Sequence, residues 1–162
     1  NFNSRIDKWN VSNVTDMSEM FASEIPLEYH SFNQPIGKWN VINVTSMEKM
    51  FSRNKDFNHF IGNWNVSNVT NMSYMFTEAV AFNQSLANWN IENVEEMYYM
   101  FEYAKIDVNN YDVTLISWAK QNVKRNISLN AYKLKYCKGK NARQQLIEKY
   151  NWSIKEGSFS CD

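Results

Sequence analysis

The chain has 162 residues, with 17 basic and 17 acidic side chains, 44% apolar residues and 15% aromatic ones. That length suits one domain with a substantial core, and the apolar content together with four glycines and two prolines excludes disordered or collagen-like sequence. Zero formal net charge argues against nucleic-acid binding, and no apolar run approaches the roughly 20 residues that span a bilayer, so membrane insertion is not expected either.

Asparagine is the anomaly, with 24 residues, and most of them fall in register. Trp9, Trp39, Trp64 and Trp89 are spaced 30, 25 and 25 residues apart. Phe2, Phe32, Phe57 and Phe82 keep the same offsets, each followed by Asn3, Asn33, Asn58 or Asn83. Downstream come Met17, Met47, Met72 and Met97, then Met20-Phe21, Met50-Phe51, Met75-Phe76 and Met100-Phe101. Four copies of F-N-x4-x-W-N-[VI]-x-N-V-x2-M-x2-M-F therefore fill residues 1–105, and the first copy carries five extra residues between Ala22 and Ser31.

A 25-residue period falls in the leucine-rich-repeat range. Ile36, Trp39 and Val41 suit a short strand running into a corner, and Met47, Met50 and Phe51 lie at i, i+3 and i+4, one face of a short helix. The sequence thus predicts an α/β repeat solenoid of right-handed, leucine-rich-repeat-like coils, each with a short parallel strand and a short helix. The Phe, Ile, Trp, Val and Met columns form its core, with all eight methionines inside as flexible filler. The asparagine columns Asn10, Asn40, Asn65, Asn90 and Asn13, Asn43, Asn68, Asn93 are expected to form structural ladders, with amides of successive repeats bonding corner backbone groups. The repeated Asn-Val-Ser/Thr triplets are read as by-products of that pattern.

After Lys105 the repeat stops. Residues 110–121 place Tyr111, Leu115, Trp118 and Ala119 on one helical face, and a second amphipathic stretch spans about 141–150. Residues 127–129 and 152–154 read as strands. Residues 106–162 are expected to form an α+β cap, packed as one domain with the repeats. Charge divides the same way: residues 1–105 hold 7 basic and 12 acidic groups, residues 106–162 hold 10 and 5. Cys137 and Cys161 both lie in this small segment. Buried thiols and a staple are the alternatives, and the confinement of the pair favours a disulfide and an oxidising compartment.

The repeat unit resembles that of BspA-like leucine-rich-repeat surface proteins of bacteria, and the related repeat of mycoplasma surface lipoproteins. The C-terminal motifs Leu115-Ile-Ser-Trp-Ala119, Tyr136-Cys137, Ala142-Arg-Gln-Gln-Leu-Ile147 and Trp152-Ser-Ile154 resemble the end piece of secreted members. This chain departs at Glu95, where the other repeats have Thr15, Thr45 or Thr70. The resemblance implies an exported, cell-surface or secreted protein that binds proteins or matrix, and it supplies no catalytic residues.

Catalysis is not expected, nor is a cofactor or metal. His30 and His59 are the only histidines, and no phosphate loop, zinc spacing or nucleophile motif is present. An adhesion module is expected instead, with recognition at positions that vary between repeats. These are the columns Glu19, Lys49, Tyr74, Tyr99 and Ser18, Glu48, Ser73, Tyr98. The leading candidates are Tyr74, Tyr98, Tyr99 and Tyr103, together with Lys133, Lys135 and Lys138 of the basic segment, which suit a protein, matrix or anionic glycan ligand. A structural spacer is the alternative. No polar segment stands ahead of the first repeat to cover Phe2, Ile6 and Trp9, so upstream repeats, or end-to-end self-association through the first coil, are expected.

Overall fold

A computed structural model describes residues 2–23 and 31–161. The five-residue insertion expected between Ala22 and Ser31 falls mainly outside the described residues. Two helices and two strands are present among them: α1 (Val108–Trp118), β1 (Ser128–Ala131), α2 (Lys140–Tyr150) and β2 (Ser153–Glu156). All four lie after Lys105.

The expected leucine-rich-repeat-like solenoid is therefore not what the chain forms: no repeat contains a helix or a named strand among the described residues. Each repeat is built from tight turns. Trp39 N–H donates to Ile36 O and Val44 N–H to Val41 O, so the predicted strand around Ile36–Val41 is two turns. The Met47, Met50, Phe51 spacing makes no helix because Lys49 has φ of 54° and Arg53 has φ of 58°. Left-handed residues stop helical propagation after one turn. Met50 N–H reaches back to Met47 O and Asn54 N–H to Phe51 O, giving two successive four-residue turns.

Neighbouring repeats bond in parallel register at these turns. Isolated bridges join Asp16 to Ser46, Ser46 to Asn71 and Asn71 to Glu96. Met17, Met47 and Met72 donate their N–H groups to Ser46, Asn71 and Glu96 carbonyls at 2.8–3.0 Å. Side chains behind the bridges form one continuous core in which Phe32, Phe57 and Phe82 stack with centroids 6.2 Å apart. Trp39, Trp64 and Trp89 also bond backward, as Trp64 Nε1–H does to Ile36 O at 3.1 Å.

The asparagine columns divide by role. Asn40, Asn65 and Asn90 accept from backbone N–H groups two residues on, in their own repeat, and so does Asn10. They form local Asx turns rather than the expected ladder. Asn43, Asn68 and Asn93 do reach the preceding repeat, donating to Ser12, Ile42 and Ser67 carbonyls at 2.7–2.8 Å. A third asparagine column forms a ladder as well: Asn33, Asn58, Asn83 and Asp107 donate their N–H groups to the side chains of Asn3, Asn33, Asn58 and Asn83. Not every methionine is interior, since Met20 is 37% exposed.

The C-terminal segment takes over the bonding of the fourth repeat. Asp107 ends the asparagine ladder and caps α1, accepting from Asn110 N–H at 2.8 Å. That bond holds its carboxyl below the usual range. Trp118 on α1 donates to Leu86 O, the contact that Trp39, Trp64 and Trp89 make in the repeats before it. Phe101 N–H donates to Asn130 O on β1, as Phe76 does to Met100 O. β1 and β2 pair in parallel, Leu129 opposite Ile154, across the α2 crossover. A Cys137–Cys161 disulfide ties the final residues back to the turn before α2.

Candidate functional site

The turn geometry decides which side chains face outward. In the first turn of the Met-x-x-Met segment the third residue is left-handed in every repeat: Glu19 (φ 61°), Lys49 (54°), Tyr74 (59°) and Tyr99 (53°). In the second turn the same holds for Arg53, Glu78 and Tyr103. Such positions favour glycine or asparagine, and another residue there costs roughly 1–2 kcal/mol. None of the seven is either. All four glycines of the chain are elsewhere and none has positive φ.

These strained positions form two surface columns. In the first, Lys49 Nζ lies 2.8 Å from Glu19 Oε1, a bond that raises the lysine above its ordinary range, and Tyr74 stacks on Tyr99 with centroids 5.2 Å apart. In the second, Arg53 pairs with Glu78 at 3.4 Å. Tyr103 continues this column and meets Tyr132 edge-on at 5.2 Å. Lys133, itself left-handed with φ of 72°, holds its ammonium 5.2 Å from the Tyr103 centroid and 5.8 Å from that of Tyr132.

A cleft of about 450 Å³ opens beside Tyr103, with Val80 and Ile106 as its apolar lining and Lys105 and Lys133 as its cations. A second, of about 380 Å³, shares Tyr103 and Val80 and extends to Lys55 and Glu78. Tyr99, Tyr103 and Tyr132 are 40–48% exposed. The surface thus carries two aromatic pairs, Tyr74–Tyr99 and Tyr103–Tyr132, the second beside clefts lined by Val80 with Lys55, Glu78, Lys105 and Lys133 as their charged groups.

Of the candidates named from sequence, the structure brings Tyr74 to Tyr99 and Tyr103 to Lys133. Tyr98 is half exposed but makes no ring contact among the described residues. Ser73, in the same variable column, is buried, so that column is not uniformly available. Lys135 reaches Ser160 Oγ at 3.5 Å, and Lys138 donates its backbone N–H to Asp112. Neither holds its ammonium over a tyrosine ring among the described residues. Tyr132 and Val80 were missed: Tyr132 has no repeat counterpart, and its approach to Tyr103 spans 29 positions of sequence. His59, read as a surface variant of the Gln34 and Gln84 column, places Nε2 3.2 Å from Asn33 O, a contact analogous to that of Gln84 with Asn58 O.

Residues 1–114 match the family described as "Mycoplasma protein of unknown function, DUF285", and the chain belongs to that family. No curated protein and no solved structure matches it.

Proposed function

We propose that the protein is a non-catalytic binding module, displayed on the cell surface or secreted, that recognises a protein or extracellular-matrix partner through the corner formed by Tyr74, Tyr99, Tyr103, Tyr132 and Lys133. The observation that carries this reading is the occupancy of the left-handed positions. Tyr74, Tyr99, Tyr103 and Lys133 stand where glycine would relieve backbone strain, and strained positions of this kind cluster at functional surfaces. Tyrosine supplies rigid area with a polar tip, which is the chemistry of an interface anchor. The repeat's resemblance to BspA-like surface proteins supports adhesion, and the Cys137–Cys161 disulfide supports an oxidising location.

A second reading is an anionic glycan in the same place. It is favoured by the cleft beside Tyr103, which carries Lys105 and Lys133 around an apolar floor. One experiment addresses both. Immobilised matrix proteins and acidic glycans are titrated with the protein and with a Tyr99→Ala/Tyr103→Ala/Lys133→Ala variant that melts well above the assay temperature. A ligand bound only by the parent supports the corner. Salt-resistant binding identifies the protein class, because exposed charges are screened within about 8 Å at physiological ionic strength.

A further inference from the structure

Two of the four glycines, Gly37 and Gly62, hold equivalent positions in the second and third repeats. Neither has positive φ, so what they supply is space. A methyl group on Gly37 would fall 2.3 Å from the Phe60 carbonyl oxygen, and one on Gly62 would fall 2.6 Å from two carbons of the Phe60 ring. Both glycines therefore make room for the same residue. The first and fourth repeats have Asp7 and Ala87 at the glycine position, and Arg5 and Ser85 where the third has Phe60. Gly62 is buried while Phe60 is 47% exposed, so the ring rests on the glycine and keeps a large part of its surface in solvent.

Phe60 lines a cleft of about 490 Å³, inside the roughly 300–1,000 Å³ range of small-molecule sites. Phe60 and Pro35 supply its apolar surface, and Arg5, Asp7, Lys38 and Asn63 its polar groups. The Arg5 guanidinium donates twice to the Asp7 carboxylate, both bonds 3.2 Å long, which sets two planar polar groups side by side. Lys38 and Asn63 have no side-chain hydrogen bond or ion pair among the described residues. His59, also in the lining, places Nε2 3.2 Å from Asn33 O.

This mixture selects the ligand. Arg5 is already offset by Asp7, which leaves one cation, Lys38, too little charge for a phosphate or a polyanion. The apolar part is one ring and one proline, far less than the roughly 800 Å² that each partner of a stable protein complex covers. A pyranose matches both parts. Its C–H face is drawn to the negative face of an aromatic ring, and its hydroxyls donate to a carboxylate and accept from an amide or an ammonium. We propose that the cleft over Phe60 binds a neutral pyranose unit of a glycan, stacked on the Phe60 ring and hydrogen-bonded by Asp7, Lys38 and Asn63, with Gly62 as the seat of the ring. The cleft shares no residue with the tyrosine surface, and this inference is independent of the binding function proposed above.

The test is saturation-transfer NMR on the full chain with methyl glycosides of glucose, galactose, mannose and N-acetylglucosamine, and with short oligosaccharides of each. At least one sugar is expected to receive saturation at its ring C–H protons. Its affinity is expected to fall about tenfold or more in Phe60→Ala, checked to melt well above the assay temperature, and to be kept in Phe60→Trp. Gly62→Ala displaces the ring without removing it and is expected to weaken binding as Phe60→Ala does. The Tyr99→Ala/Tyr103→Ala/Lys133→Ala variant is expected to bind the sugar like the parent. No transfer from the parent to any of these sugars overturns the proposal, as does equal affinity in the parent and in Phe60→Ala or in a folded Gly62→Ala. Sugar binding that the tyrosine variant loses also overturns it, by assigning the sugar to that surface. A protein ligand that depends on Phe60 while no sugar binds overturns it in favour of a protein contact.

Discussion

Lys133 holds its ammonium 5.2 Å from the ring centroid of Tyr103, so a cation of the C-terminal segment and an aromatic of the fourth repeat share one contact. Two surfaces that the sequence presents separately, the tyrosine columns and the basic end, meet there. An exposed cation–π pair contributes about 0.5–1 kcal/mol. A double-mutant cycle on Tyr103→Ala and Lys133→Ala, read by chemical denaturation, is expected to give a coupling of about that size. Strict additivity would separate the two halves of the corner.

Burial within one column sets the next expectation. Trp64 is 2% exposed and bonded to Ile36 O, while Trp9 is 53% exposed. Trp64→Ala is expected to cost about 3–5 kcal/mol, the usual large-to-small core loss, and Trp9→Ala less than half as much. Equal losses in denaturant unfolding would refute the core assignment.

Asn151 ends α2 in the left-handed conformation at φ 57°, and its amide donates to Asn126 Oδ1. Replacement by alanine is expected to cost about 1 kcal/mol, and replacement by glycine much less, because glycine pays no left-handed penalty. If the glycine variant is as unstable as the alanine variant, the amide bond rather than the backbone is the source.

Asp107 couples stability to pH. Its carboxyl lies below the usual range, chiefly through the Asn110 N–H. A depressed folded value means that the stabilisation is present above the ordinary carboxylate range and is lost as the pH falls through the folded value. Asp107→Ala is expected to cost about 1 kcal/mol at neutral pH, a typical N-cap loss. Asp107→Asn keeps a capping oxygen and is expected to flatten the acid-side decline. Melting curves between neutral and acidic pH check both.

Removing the Cys137–Cys161 link by Cys137→Ser/Cys161→Ser is expected to cost roughly 3 kcal/mol, from the entropy of a loop with a sequence separation of 24. Thiol titration of the denatured, unreduced parent is expected to find none free. Two titratable thiols would contradict the link and weaken the case for export.

The repeat period, the core columns and the two C-terminal helices and strands were legible because each rests on local spacing or in-register apolar residues. Residues 110–121 and 141–150 hold the helices at Val108–Trp118 and Lys140–Tyr150, within two or three residues of the expected bounds. The helix expected at Met47–Phe51 failed because i, i+3, i+4 spacing also fits two consecutive turns. Glycine or asparagine would have signalled those turns, yet Lys49 and Arg53 occupy the left-handed positions. The Asn3, Asn33, Asn58, Asn83 ladder was in plain register, but the amides of the Asn10 column look the same in sequence and bond only locally. The meeting of Tyr103 with Lys133 depends on how β1 aligns with the fourth repeat, a non-local pairing with no local pattern to announce it.

The most direct measurement of the central claim is equilibrium binding of the parent and of the Tyr99→Ala/Tyr103→Ala/Lys133→Ala variant to the same immobilised matrix proteins and acidic glycans. Melting of both proteins is checked first. The parent is expected to bind at least one ligand and the variant to lose about tenfold or more in affinity, equivalent to roughly 1.4 kcal/mol. Undiminished binding by the variant would place the partner surface elsewhere and contradict the account.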